Sequence, residues 1–187
     1  MKSHISSKTQ SARSHSTNRP RQPIPQPEQA VHRSLDSGPA KRILLVDDDP
    51  TVRDSLSEVL LAEGYVIVQA EDGQQALDLV DKSPVDLVLL DLNMPVKNGW
   101  DTFERLTAEH PLIPIIITTA RPNQLFTALG AGVGALLEKP MNIRTLLQTA
   151  AKLLAESTEQ RLARLAGKQT EFHYEPATES HENGNRR

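Results

Sequence analysis

Asp47, Asp48 and Asp91, together with Thr119 and Lys139, are the residues of this chain best placed to do chemistry. Each stands at the end of a short apolar run. Ile43 to Val46 leads into Asp47-Asp48-Asp49, Leu87 to Leu90 into Asp91, Ile113 to Ile117 into Thr118-Thr119, and Ala135 to Leu137 into Glu138-Lys139. Carboxylates at close quarters repel one another unless protons or a cation intervene. Magnesium suits such a set, since it takes one or two carboxylates and fills its shell with phosphate and water. A carboxylate pinned at the end of an apolar strand, as Asp91 is, can act as a nucleophile toward phosphorus and form an acyl phosphate, with the cation neutralising charge on the transferred group. Lys139 can pair with phosphate oxygens and Thr119 can donate a hydroxyl hydrogen bond, although composition does not rank Thr119 against Thr118. Singly, each residue has a plainer reading: a helix cap, a snorkelling edge lysine, an ordinary strand threonine. Gathered at four strand ends, they read as one site.

The elements that must bring them together alternate between strand and helix. Short runs of Ile, Val and Leu bounded by turn residues read as parallel strands buried on both faces. Asp49-Pro50 has the form of an N-cap followed by proline at the first helical position, and Val52, Leu56, Val59 and Leu60 then share a helical face until Gly64. A strand over Tyr65 to Ala70 follows, and Asp72 can cap a second helix carrying Ala76, Leu77 and Val80. Beyond the turn Asn93-Met94-Pro95 with Asn98-Gly99, a third helix turns Phe103 and Leu106 inward. A fourth lies around Leu125, Ala128 and Leu129, and a last one starts at Asn142. Gly130, Gly132 and Gly134 follow a helix rather than open one, so they form no nucleotide loop and serve the turn into the fifth strand. Five strand-helix units with right-handed crossovers fold into an α/β doubly wound parallel sheet, (βα)5, whose strand carboxyl ends share one edge.

Composition sets the limits around this domain. The chain has 187 residues, 37% of them hydrophobic, which suits one domain with extensions. It has no cysteine, so a disulfide frame or thiol nucleophile cannot be built, and its 6 histidines are scattered. No run approaches the roughly 18 apolar residues of a membrane helix, and the expectation is a cytoplasmic protein with no membrane span. The near-neutral total charge of −3 hides an asymmetry: residues 1–42 carry +6 and residues 43–153 carry −8. Residues 1–40 read as a disordered basic arm, a solvated tether more than a contact surface.

These motifs resemble the receiver domain of two-component response regulators, of the chemotaxis-regulator type, over about Lys41 to Leu154. The resemblance rests on Ile43 to Pro50, on Asp86 to Pro95 with Asn98-Gly99, on Thr119-Ala120 and on Lys139-Pro140. It implies a flavodoxin-like sheet of strand order 2-1-3-4-5. It also implies Mg2+ held by Asp47, Asp48, Asp91 and the main-chain carbonyl of Asn93, and Asp91 as the acceptor of phosphate from a sensor histidine kinase or phosphotransfer protein. Thr119, selected over Thr118 by the Thr-Ala pattern, would sense the phosphoryl group; Lys139 would bind it through a loop whose Lys139-Pro140 peptide is typically cis. Leu136 stands where the family often carries a Tyr or Phe, which puts an aromatic switch in doubt, and Arg121 stands where side chains affect water access. The expected function is a phosphorylation-dependent switch, not an enzyme with an external substrate, that signals to a downstream protein. The alternatives are a phosphorylation-independent interaction module and an aspartyl-phosphate hydrolase of the haloacid dehalogenase type.

After Leu154 the apolar stripe of Leu147, Ala150, Leu154, Arg161, Leu162 and Leu165 predicts that the last helix continues through residues 155–167. That extension is expected to serve partner contact, including a homodimer through the last helix. Residues 168–187 are expected to be a disordered tail. With only 33 residues beyond Leu154, a stand-alone receiver with no DNA-binding domain is expected.

Overall fold

The computed structural model of the chain describes residues 39–94, 99–121, 123–168 and 172–177. All but two residues of the basic arm, the turn residues 95–98 and most of the tail lie outside them. Strands β1 (Arg42–Val46), β2 (Val66–Ala70), β3 (Leu87–Asp91), β4 (Ile115–Thr119) and β5 (Ala135–Glu138) alternate with helices α1 (Pro50–Ala62), α2 (Gly73–Lys82), α3 (Gly99–Glu109), α4 (Leu125–Gly130) and α5 (Ile143–Ala155). The strands are all parallel, in the order β2-β1-β3-β4-β5 expected for a flavodoxin-like sheet, with one further strand, β6 (His173–Glu175), beside β5.

Strand alternation splits the core in two. Leu44, Val46, Val88, Leu90 and Ile117 face Leu77, Phe103, Leu106 and Ala128 of α2, α3 and α4. Ile43, Leu45, Leu87, Leu89 and Ile116 face Leu56, Leu60, Leu146, Ala150 and Leu153 of α1 and α5. The central strands β1, β3 and β4 are therefore apolar on both faces, as their unbroken Ile/Val/Leu runs require. The caps form where the sequence places them. Thr51 N–H donates to Asp49 Oδ1 at 2.8 Å and Gln75 N–H to Asp72 Oδ1 at 2.8 Å, while Gly64, at φ +87°, turns the chain out of α1.

Several expectations are corrected. The fourth strand starts at Ile115, after Pro114, and takes in Thr118 and Thr119 instead of ending before them. On α4 only Ala128 is buried; Leu129 is 47% exposed because this short helix turns one narrow face to the sheet. The last helix does not run on to Gly167. It stops at Ala155, and a separate helix α6 (Thr158–Leu165) starts from Ser157 with a capping box, Ser157 and Gln160 each bonding the other's backbone N–H. The inward face of α6 is made by Arg161 and Arg164, and Leu162 points outward. The tail expected to be disordered contributes β6. No helix among the described residues is long and apolar enough to cross a membrane.

Candidate functional site

The carboxyl ends of β1, β3, β4 and β5 meet along one sheet edge and carry the predicted residues with them. Asp47 follows β1 directly and is buried, Asp48 beside it is exposed, and Asp91 ends β3 at 3% exposure. Oxygens from these three carboxylates lie within 4.8 Å of one another. Lys139, following β5, reaches into the group: its ammonium is 2.7 Å from Asp47 Oδ2 and 3.3 Å from Asp91 Oδ2. The Lys139–Pro140 peptide is cis.

The partners of each oxygen show where a further group could bind. Both oxygens of Asp47 are engaged: its Oδ1 accepts the Asp49 N–H at 3.0 Å and its Oδ2 accepts from Lys139. Arg53 was not anticipated from the sequence; its Nη1 donates to the Asp47 carbonyl at 2.6 Å and holds the acidic loop against α1. A cation four residues after an N-cap gives no distinctive sequence signal. By contrast, Asp91 Oδ1 and the side-chain Oδ1 of Asn93 are buried with no hydrogen-bond partner among the described residues. Buried acceptors left unpaired cost free energy, and Asp91 Oδ1, clustered with the exposed Asp48 carboxylate, fits a hard cation with oxygen ligands.

The electrostatics point the same way. Burial pushes the Asp91 carboxyl above its ordinary value; Lys139 pulls against that and Asp47 adds to it. Burial alone would push the Lys139 ammonium down, but Asp47 and Asp91 outweigh it and hold its pKa above the ordinary lysine value. An acidic cluster with one cation is short of positive charge, and a divalent ion supplies it.

Thr119 is fully buried at the end of β4, where its Oγ1 accepts the Arg121 N–H at 2.9 Å; the residue in register with Asp91 is Thr118. Thr119 therefore borders the acidic group and is engaged with its own loop. Leu136 is fully buried within β5, packed with the core on the α4 side.

The model of the response regulator receiver domain matches residues 43–151, more than half of the chain. The chain belongs to the response regulator receiver family. Among curated relatives it is 46% identical over 118 residues to the transcriptional regulatory protein CpxR of Escherichia coli, covering 62% of this chain and 50% of that one. It is 38% identical to the response regulator MprA of Mycolicibacterium vanbaalenii, covering 63% and 52%. Among solved structures it is similar to a CheY-like receiver domain protein of Methanospirillum hungatei, with 31% identity, TM-score 0.59, and coverage of 63% of this chain and 95% of that one. It is also similar to the response regulator TrrA of Thermotoga maritima in complex with Mg2+ and BeF, with 34% identity, TM-score 0.57, and coverage of 60% and 98%.

The receiver spans about half the length of the curated relatives it matches, and one of these is a transcriptional regulatory protein. The expectation of a stand-alone receiver with no DNA-binding domain is corrected accordingly, since relatives of this family carry the receiver as one part of a longer regulator. Receiver domains of two-component response regulators are signalling switches, and the hydrolase and interaction-module alternatives are not favoured.

Proposed function

We propose that Asp91 accepts a phosphoryl group in the presence of Mg2+ and that the resulting acyl phosphate is the signalling state of this receiver. The observation that carries the reading is the buried Asp91 Oδ1, without a hydrogen-bond partner among the described residues, in a carboxylate cluster with Asp47 and Asp48 and with Lys139 at its other oxygen.

Asp48, Asp91 and Asn93 would hold the metal, with Asp47 completing the acidic set; for Asn93 the side-chain oxygen is the unpaired group, and its main-chain carbonyl is the ligand the resemblance implies. The bound ion would supply charge neutralisation for the transferred group. The chain's own residues do the rest. The β3 end fixes Asp91 so that its carboxylate need not reorganise before it attacks. The Lys139 ammonium, already near Asp91, pairs with phosphoryl oxygens, and the Thr119 hydroxyl, whose oxygen accepts the Arg121 N–H, donates its O–H to the new anion. Replacing a carboxylate by a larger anion with strong acceptor oxygens biases the loops after β4 and β5 between two arrangements.

Fluoroberyllate, a phosphoryl mimic, tests this directly by calorimetric titration. Saturable binding that needs Mg2+ and is lost in Asp91→Asn is expected. Binding that survives Asp91→Asn would contradict the assignment.

A further inference from the structure

The segment after α5 is fastened to the domain at two places of unequal strength. At the first, α6 lays two arginines across Glu156: Arg161 Nη2 and Arg164 Nη2 lie 3.2 Å and 2.7 Å from Glu156 Oε2. Arg164 also donates to the Gly132 carbonyl at 2.7 Å, and Arg161 to the carbonyls of Leu112 and Leu153. Both arginines are buried, so undocking α6 would break these ion pairs and carbonyl hydrogen bonds together.

The second fastening is slight. β6 has three residues and pairs in parallel with Ala135, Leu136 and Leu137 of β5. Phe172, just before it, packs against the core on the α4 side, and Glu138 ties down the residues that follow: its Oε1 accepts the Tyr174 hydroxyl at 3.1 Å and its Oε2 accepts the Ala177 N–H at 3.2 Å. Tyr174 is exposed, and Glu175 Oε2 is buried with no hydrogen-bond partner among the described residues, which weakens the strand further. Short, exposed elements with few buried contacts open before the rest of a fold does.

Glu138 is also where the acidic site ends. It is in register with Thr119 and immediately precedes Lys139, whose N–H donates to the Thr119 carbonyl at 2.7 Å. A rearrangement that draws Thr119 and Lys139 toward an anion on Asp91 therefore acts on both neighbours of the carboxylate that holds β6.

The geometry points to β6 as a releasable cover of the β5 edge, held shut through Glu138 when Asp91 is bare and loosened when Asp91 carries a phosphoryl-like anion, while α6 stays docked. Release would uncover the backbone N–H and C=O groups of Ala135 to Leu137, an edge that accepts a parallel strand, as β6 itself shows. This rests on the reading of Asp91 as phosphoacceptor.

Hydrogen exchange of the full chain, with and without Mg2+ and fluoroberyllate, tests it. Peptides from the loops after β1, β3 and β4 report on the site, peptides covering 135–138 and 172–177 on the cover, and α6 serves as the internal control. The expected result is slower exchange at the site loops, exchange at β5 and β6 faster by several-fold, and no change in α6. Tyr174→Phe, a surface change outside the site, should show fast exchange at β5 and β6 without ligand and little further gain with it. Slower site loops with unchanged or slower exchange at β5 and β6 would overturn the cover and leave the phosphoacceptor reading standing. No slowing at the site loops would overturn the phosphoacceptor reading, and the cover's link to it as well.

Discussion

Lys139 Nζ lies 2.7 Å from Asp47 Oδ2, a contact between residues 92 positions apart that joins the ends of β1 and β5 across the sheet edge. The ammonium is nearer to Asp47 than to Asp91, at 3.3 Å, so Asp91 stays under-compensated. That imbalance makes the buried carboxylate a burden on the fold, a pattern typical of functional sites.

Asp91→Asn is accordingly expected to stabilise the metal-free protein by about 1 kcal/mol at neutral pH. The sign follows from the pKa of Asp91, which burial raises above the ordinary value. A carboxyl raised in the folded state adds no cost below its unfolded pKa and destabilises as the pH rises through its folded pKa. Thermal melts of both proteins without divalent ions should diverge at neutral pH and converge in acid; equal melts at neutral pH would contradict the imbalance.

Asp86 should behave in the opposite sense. Burial pushes its carboxyl up, but the Arg42 N–H and the Lys41 ammonium, each at 2.8 Å, outweigh this and hold it below the ordinary value. A depressed carboxyl stabilises above its unfolded pKa, and that contribution is lost as the pH falls through the folded pKa. Solvent screens the partly exposed ion pair with Lys41, so Asp86→Ala should cost only about 1 kcal/mol at neutral pH, mostly through the bond to Arg42. Denaturant unfolding should show the difference shrinking once the pH drops below the carboxylate range.

Gly99→Ala tests how closely α3 seats on the end of β3. A Cβ at Gly99 would lie 2.6 Å from the main-chain oxygen of Asp91 and 2.6 Å from Cα of Leu92. Backbone cannot swing aside as a flexible side chain can, so a loss of about 2 kcal/mol is expected. Fluoroberyllate binding should weaken in parallel, because the strain falls on Asp91 itself. Unfolding and binding measurements on the same variant check both.

Glu156→Ala should release α6. It leaves Arg161 and Arg164 buried without their shared carboxylate, and stranding buried charges costs about 3 kcal/mol or more. Undocking relieves that cost locally, so limited proteolysis should cut within 156–168 while β1 to β5 stay protected. A helix that remains protected would contradict the anchoring role of the glutamate.

Much of this was legible in the sequence, for reasons visible in particular residues. Unbroken runs such as Leu87 to Leu90 read as central strands because both faces of such a strand are buried, and the Asp49 and Asp72 caps sit where an acidic side chain precedes a helical period. The acidic set followed from the shared edge of parallel strands. What the sequence hid depended on neighbours. The stripe through Arg161, Leu162 and Leu165 looks like a continuing helix until Glu156 is seen to draw both arginines inward, and the Ser157/Gln160 capping box that breaks the helix is a local signal outweighed by that stripe. β6 is too short to show alternation, and its partners on β5 lie far off in sequence, Glu138 being 36 residues from Tyr174.

The most direct measurement is intact mass after incubation with acetyl phosphate and Mg2+, on the wild type and on Asp91→Asn. The account predicts a gain of one phosphoryl group, about 80 Da, in the wild type with Mg2+, and none without the metal or in the variant. No gain in the wild type, or a gain that persists in Asp91→Asn, would contradict it.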